Sequence, residues 1–144
     1  MKFIQTDIKD LIVIEPNIFE DSRGWFSETY NMNIFGANNI NIHFVQDNHS
    51  YSAQKGVLRG LHLQNSPFAQ AKLVRCTKGS IWDVAVDLRK SSPTYLKWFG
   101  IELTAENHKL LLVPRGFAHG FVTLENNTEV QYKVDNVYNN INDR

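Results

Sequence analysis

The sequence predicts an all-β chain folded as an antiparallel barrel or sandwich with at most one or two short helices. Turn signals recur at short intervals: Glu15-Pro16, Ser22-Arg23-Gly24, Lys55-Gly56, Ser66-Pro67, Lys78-Gly79, Ser91-Ser92-Pro93, Arg115-Gly116 and Asn126-Asn127. The runs between them are short and rich in β-branched and aromatic residues, the composition that suits a pleated, half-buried surface. Helical periodicity long enough for a crossover between parallel strands is missing, which leaves antiparallel pairing.

The clearest strand is Ile81 to Leu88, where Trp82, Val84, Val86 and Leu88 share one face and Asp83 and Asp87 the other. A second, Thr128 to Val134, alternates in the same way and sets Tyr132 beside Val130 and Val134. Helix is confined to a short segment near Asn31–Phe35, with a single turn at Thr104–His108. Repeats, linkers and low-complexity stretches are absent from the sequence.

Bulk properties exclude several function classes. A chain of 144 residues fits one domain and one core, spanning 1–144. Fifteen basic residues balance fifteen acidic ones, so no net field draws the protein to nucleic acid or a membrane surface. An anionic ligand must then be held by local arginines and lysines. The single Cys76 excludes an internal disulfide and suits a reducing cytoplasm; it reads as a small buried hydrophobe. The N-terminal run from Met1 to Pro16 has no long apolar stretch and reads as neither signal peptide nor membrane span.

From Val45 onward the motifs become specific. Val45-Gln46-Asp47-Asn48-His49-Ser50, Leu58-Arg59-Gly60-Leu61-His62, Ala71-Lys72-Leu73-Val74-Arg75, Asp83 through Arg89, Ser92-Pro93-Thr94 and Pro114 through Phe121 follow one another in order. Upstream lies Asp21-Ser22-Arg23-Gly24-Trp25-Phe26, followed by Glu28. Together they resemble the dTDP-4-dehydrorhamnose 3,5-epimerase family over almost the whole chain. The resemblance implies a cupin-type antiparallel barrel or jelly roll, a homodimer, and a nucleotide-linked 4-keto-6-deoxy sugar as substrate.

Cupin barrels usually carry a first motif of the form G-x5-H-x-H followed by Glu and then Gly, and a second of the form P-x-G-x-x-H. Gly56 and His62 match the first, and Pro114, Gly116 and His119 the second. Gln64 stands where the second histidine is expected, and Lys72, ahead of Gly79, stands where the glutamate is expected. Zinc and iron want imidazole, thiolate or carboxylate, and an ammonium has no lone pair to give. The expectation is therefore no metal and no cofactor.

The same residues suit proton transfer. A ketone acidifies the hydrogens on the neighbouring carbons, because removing one leaves an enolate with its charge on the carbonyl oxygen. Inversion needs a base on one face, an acid on the other, and a cation beside the oxyanion. A neutral histidine suits the base near pH 7, and the resemblance assigns that role to His62. Lys72 suits the oxyanion. Tyr132 can donate from the opposite face, and its position agrees with the family.

For the nucleotide half, Arg23 and Arg59 can each bind phosphate oxygens bidentately. Phe26, with Phe19, can stack on a base; both also read as core residues. Gln46, Asn48 and Glu28 supply polar contacts, His119 a binding role in the pocket or a structural one, and Asp143 a match to a substrate-contacting glutamate. Strict alternation sets Arg59 and His62 on opposite faces, so both reach one pocket only if Gly60 marks a bulge.

The chain ends at Arg144, before the end the resemblance implies, and that segment carries the family's aspartate partner of the catalytic histidine. Asp83 is the nearest substitute in the motif set, with a solvated strand aspartate as the alternative. The expectation is binding with weak turnover. Other readings are a 3-only or 5-only epimerase, an epimerase of another nucleotide sugar, a non-catalytic sugar-nucleotide-binding module, and a metal-dependent cupin oxygenase.

Overall fold

In the computed structural model, which describes residues 1–138, short strands account for most of the regular structure. They are β1 (Lys2–Gln5), β2 (Ile12–Glu15), β3 (Phe19–Asp21), β4 (Gly24–Phe26), β5 (Gln46–Ser52), β6 (Leu58–His62), β7 (Lys72–Lys78), β8 (Ser80–Asp87), β9 (Trp98–Thr104), β10 (Leu110–Val113), β11 (Phe117–Thr123) and β12 (Thr128–Val134). One helix, α1 (Met32–Ala37), lies where the sequence placed it. Asn31 caps it, its side chain accepting from the backbone N–H groups of Asn33 and Ile34. The turn expected at Thr104–His108 is present as well.

A six-stranded sheet in the order β1-β2-β10-β7-β12-β5 packs on a four-stranded sheet in the order β6-β11-β8-β9. The pairings recorded between these strands are antiparallel. β3 and β4 form a separate hairpin. Val13, Val74, Leu111, Val113 and Val130 of the large sheet meet Ile81, Ala85, Leu103, Phe117 and Phe121 of the small one in the main core. A second cluster on the outer face of the large sheet buries Ile14, Leu73, Leu110 and Leu112 under Phe35 and Ile40. Cys76 packs in the main core, where burial pushes its thiol up to about 11.

Strand β8 departs from the simple inside–outside pattern. Asp83 and Asp87 are fully buried and share the inward face with Ile81 and Ala85. Trp82 is on the outward face, 38% exposed. A solvated Asp83 is thereby overturned: alternation identified two faces but not which one looks inward, because both aspartates are buried with partners.

Asp87 shows how such burial is sustained. Its carboxylate accepts from Arg89 Nε at 3.0 Å, Ser92 Oγ at 2.6 Å and Thr94 Oγ1 at 2.6 Å, and from the Arg89 backbone N–H. Burial pushes its pKa up, but these donors together hold it well below the usual carboxylate range. A carboxylate held low when folded stabilises the fold above its unfolded pKa of about 3.9 and loses that contribution as pH falls below it. Asp87→Asn is expected to cost about 2–3 kcal/mol near pH 7 and to flatten the acid limb of stability between about pH 5 and pH 2. Urea unfolding across that range measures both effects; parallel acid limbs for the variant and the parent would contradict this role for Asp87.

Candidate active site

One end of the barrel opens into a cavity of about 460 Å³ lined by Gln46, Asn48, His62, Leu63, Gln64, Gln70, Lys72, Phe117, Tyr132 and Tyr138. Antiparallel register assembles it. The start of β5 brings Gln46 and Asn48, the end of β6 brings His62, the start of β7 brings Lys72, and β12 brings Tyr132 opposite Asn48. Gln46 Nε2 donates to Asn48 Oδ1 at 2.9 Å, which fixes both amides on the wall. The Lys72 ammonium sits over the Tyr132 ring, 5.9 Å from its centroid. A base candidate, a cation and a phenol therefore share one cavity.

The bulge required at Gly60 is present. His119 of β11 faces His62, yet two residues on, Phe121 faces Arg59, so β6 carries one extra residue. Gly60 has φ +105°, and a Cβ there would lie 2.7 Å from the His119 carbonyl oxygen. Only glycine fits that approach. The bulge returns Arg59 to the inward side, where Nε donates to Ser52 Oγ at 3.1 Å and Nη2 to the Tyr51 carbonyl at 3.0 Å.

His119 lies deeper than expected, 7% exposed, with Nε2 2.7 Å from Asp83 Oδ1. The other carboxylate oxygen, Oδ2, has no hydrogen-bond partner among the described residues. Asp83 is thus the partner of His119 rather than of His62. It sits on β8 beside β11, where Phe121 is its register partner, while β6 lies on the far side of β11.

The hairpin does not reach this chain's own cavity. Phe19 and Phe26 pair across β3 and β4 and are 59% and 66% exposed, which removes them from the core. The Arg23 side chain is highly exposed and bonded to Asp21 at 2.6 Å. Glu28 accepts from Asn31 Nδ2 at 3.0 Å, outside the cavity. Asp143 lies outside the described residues. Leu63, Gln70, Phe117 and Tyr138 also line the cavity, beyond the residues expected from the sequence. Phe117 was within a quoted motif, but Gln70 and Tyr138 lie in connections after strands, where periodicity carries no signal.

The donors at the four cupin ligand positions do not make a metal site. The Gln64 amide nitrogen donates to the Phe68 carbonyl at 2.6 Å, Lys72 is an ammonium, and His119 is engaged by Asp83. Among the described residues, no three His, Cys, Asp or Glu side chains group closely enough to hold an ion.

A double-sheet antiparallel barrel whose open end gathers a histidine, a lysine and a tyrosine around one cavity has the architecture of the cupin class. The family model described as dTDP-4-dehydrorhamnose 3,5-epimerase matches residues 5–144, and the chain belongs to that family. The enzyme of that name from Shigella flexneri is 52% identical over 100% of this chain and 80% of its own length. The Bacillus anthracis enzyme, solved with TDP and PPi bound, superposes with a TM-score of 0.96 at 51% identity, covering 99% of this chain and 81% of its own. The Legionella pneumophila enzyme, solved in complex with dTDP-4-keto-L-rhamnose, gives 0.94 at 43% identity, covering 99% and 75%.

Proposed function

We propose that this chain epimerises dTDP-4-keto-6-deoxyglucose at carbons 3 and 5, giving dTDP-4-keto-L-rhamnose. Family membership supports the substrate and the reaction. The observation that carries the chemistry is the meeting of His62, Lys72 and Tyr132 around one cavity. His62 takes the proton from carbon 3 or carbon 5, and the electron pair moves into the ring to form an enolate. Lys72 balances the charge on the carbonyl oxygen. Tyr132, projecting from the opposite sheet, delivers a proton to the other face. Gln46 and Asn48 orient the sugar or ribose hydroxyls, and Tyr138, 57% exposed at the mouth, offers a ring face to the nucleobase. His119, fixed by Asp83, supports the floor beside His62. Incubating the chain with dTDP-4-keto-6-deoxyglucose and reading the product configuration by NMR tests the assignment; unchanged substrate at high enzyme concentration would refute it.

The working form is a homodimer in which each hairpin completes the neighbour's pocket. The exposed Arg23 and Phe26, together with Trp25 at 59% and Trp98 at 63%, support this arrangement. Light scattering is expected to give twice the chain mass at micromolar concentration. Mixing inactive Arg23→Ala and His62→Ala chains should restore part of the activity, because mixed dimers hold one intact pocket. A monomer, or no recovery on mixing, would contradict this arrangement. The lone buried thiol suits the cytoplasm, and no helix among the described residues is long and apolar enough to cross a membrane.

A further inference from the structure

Gln64 occupies a position where a cupin ordinarily presents a metal ligand, and it is 6% exposed. Its amide nitrogen reaches two backbone carbonyls from distant parts of the chain: Phe68 at 2.6 Å, in the β6–β7 connection, and Val137 at 3.4 Å, beyond β12. Those two segments are joined by further bonds. Gln70 Nε2 donates to the Asn136 carbonyl at 2.8 Å, and Asn136 Nδ2 donates to the Pro67 carbonyl at 2.8 Å. The Ala71 N–H donates to Asp135 Oδ1 at 2.7 Å, and Arg115 Nε holds the other oxygen of Asp135 at 2.9 Å. The residue that follows Val137 is Tyr138, which lines the cavity with Gln64 and Gln70.

We propose that Gln64 is a positioning residue for substrate binding: its amide joins the β6–β7 connection to the segment carrying Tyr138, forming one rim that sets the cavity mouth. An amide is suited to this because one nitrogen carries two donors and can satisfy two carbonyls at once. Loss of those donors removes both part-buried bonds and loosens the Tyr138 segment. His62, Lys72 and Tyr132 stand on strands held by ladder bonds, so the chemistry keeps its geometry while the rim loosens. The substrate role of Gln64 rests on the function proposed above; the rim itself does not.

Gln64→Glu keeps the shape but points a carboxylate oxygen at two carbonyl oxygens, and Gln64→Met removes the donors without adding charge. Both variants are expected to raise KM for the nucleotide sugar and Kd for dTDP about tenfold, with kcat within about threefold, the signature of lost binding rather than lost chemistry. Backbone hydrogen exchange at Asp135 to Tyr138, measured without ligand, is expected to speed up about tenfold, with the sheets unaffected. Should neither variant fold, Gln70→Met severs the neighbouring tie and must show the same pattern to a smaller degree. Unchanged exchange with a raised KM would make Gln64 a direct substrate contact and overturn the rim. A fall in kcat at constant KM would place Gln64 in the chemistry and overturn it equally. If the parent chain fails to bind dTDP, the proposed function falls and the substrate role of Gln64 with it; if the parent binds and exchange is unchanged, only the Gln64 proposal falls.

Discussion

His62→Ala is expected to lower proton exchange at carbon 3 and carbon 5 together, by about 10²–10⁴-fold, the range that general bases supply. Both losses follow from one cause. A single imidazole ends β6 at the cavity, on the inward face opposite His119, and neither enolate forms without a base. Tyr132→Phe separates the two half-reactions. The phenol stands on β12 in the other sheet, so its loss leaves proton removal intact and impairs return on the far face. Exchange should therefore outrun inversion in that variant. A Tyr132→Phe chain with parental rate and product stereochemistry would return Tyr132 to a packing role against the main core, which it partly contacts.

Lys72→Met carries the second large effect, a fall in kcat of about 10²–10³-fold with KM changed little, as for removal of an oxyanion donor. The ammonium lies over the Tyr132 ring, within the same cavity as His62. Its charge matters most once the enolate oxygen is negative, so the loss should fall on kcat. Lys72→Arg should recover only part of the rate, because a planar fork cannot place a point charge in the same space. An equal loss in Lys72→Met and Lys72→Arg, all of it in KM, would make Lys72 a ground-state binding group.

The strand architecture was legible because it depends on local rules, whereas the roles expected of His62 and Tyr132 came from the family resemblance. Alternation located the β8 and β12 strands, and turn residues bounded them. The cupin spacing brought Gly56, His62, Lys72 and His119 to attention before any coordinates. Alternation made a bulge at Gly60 the condition for Arg59 and His62 to share a face, and β6 carries that bulge. What failed depends on partners distant in sequence. Asp83 read as a partner for His62 or as a solvated aspartate because its actual partner, His119, is 36 residues away. Phe19 and Phe26 suited a core or a stacking role by composition, but they pair across a two-stranded hairpin and stay exposed, while Trp25 between them in the hairpin packs on His108. Tyr138 and Gln70 reach the cavity through loop-to-loop bonds that no periodicity encodes.

The central claim is that this cavity makes and quenches an enolate on both sides of one carbonyl. Incubation with dTDP-4-keto-6-deoxyglucose in deuterated water tests it most directly. Solvent deuterium is expected at carbons 3 and 5 of the product in the parent chain, and none above background in His62→Ala. Deuterium at only one carbon would restrict the enzyme to a single centre, and inversion without any deuterium would contradict the enolate mechanism itself.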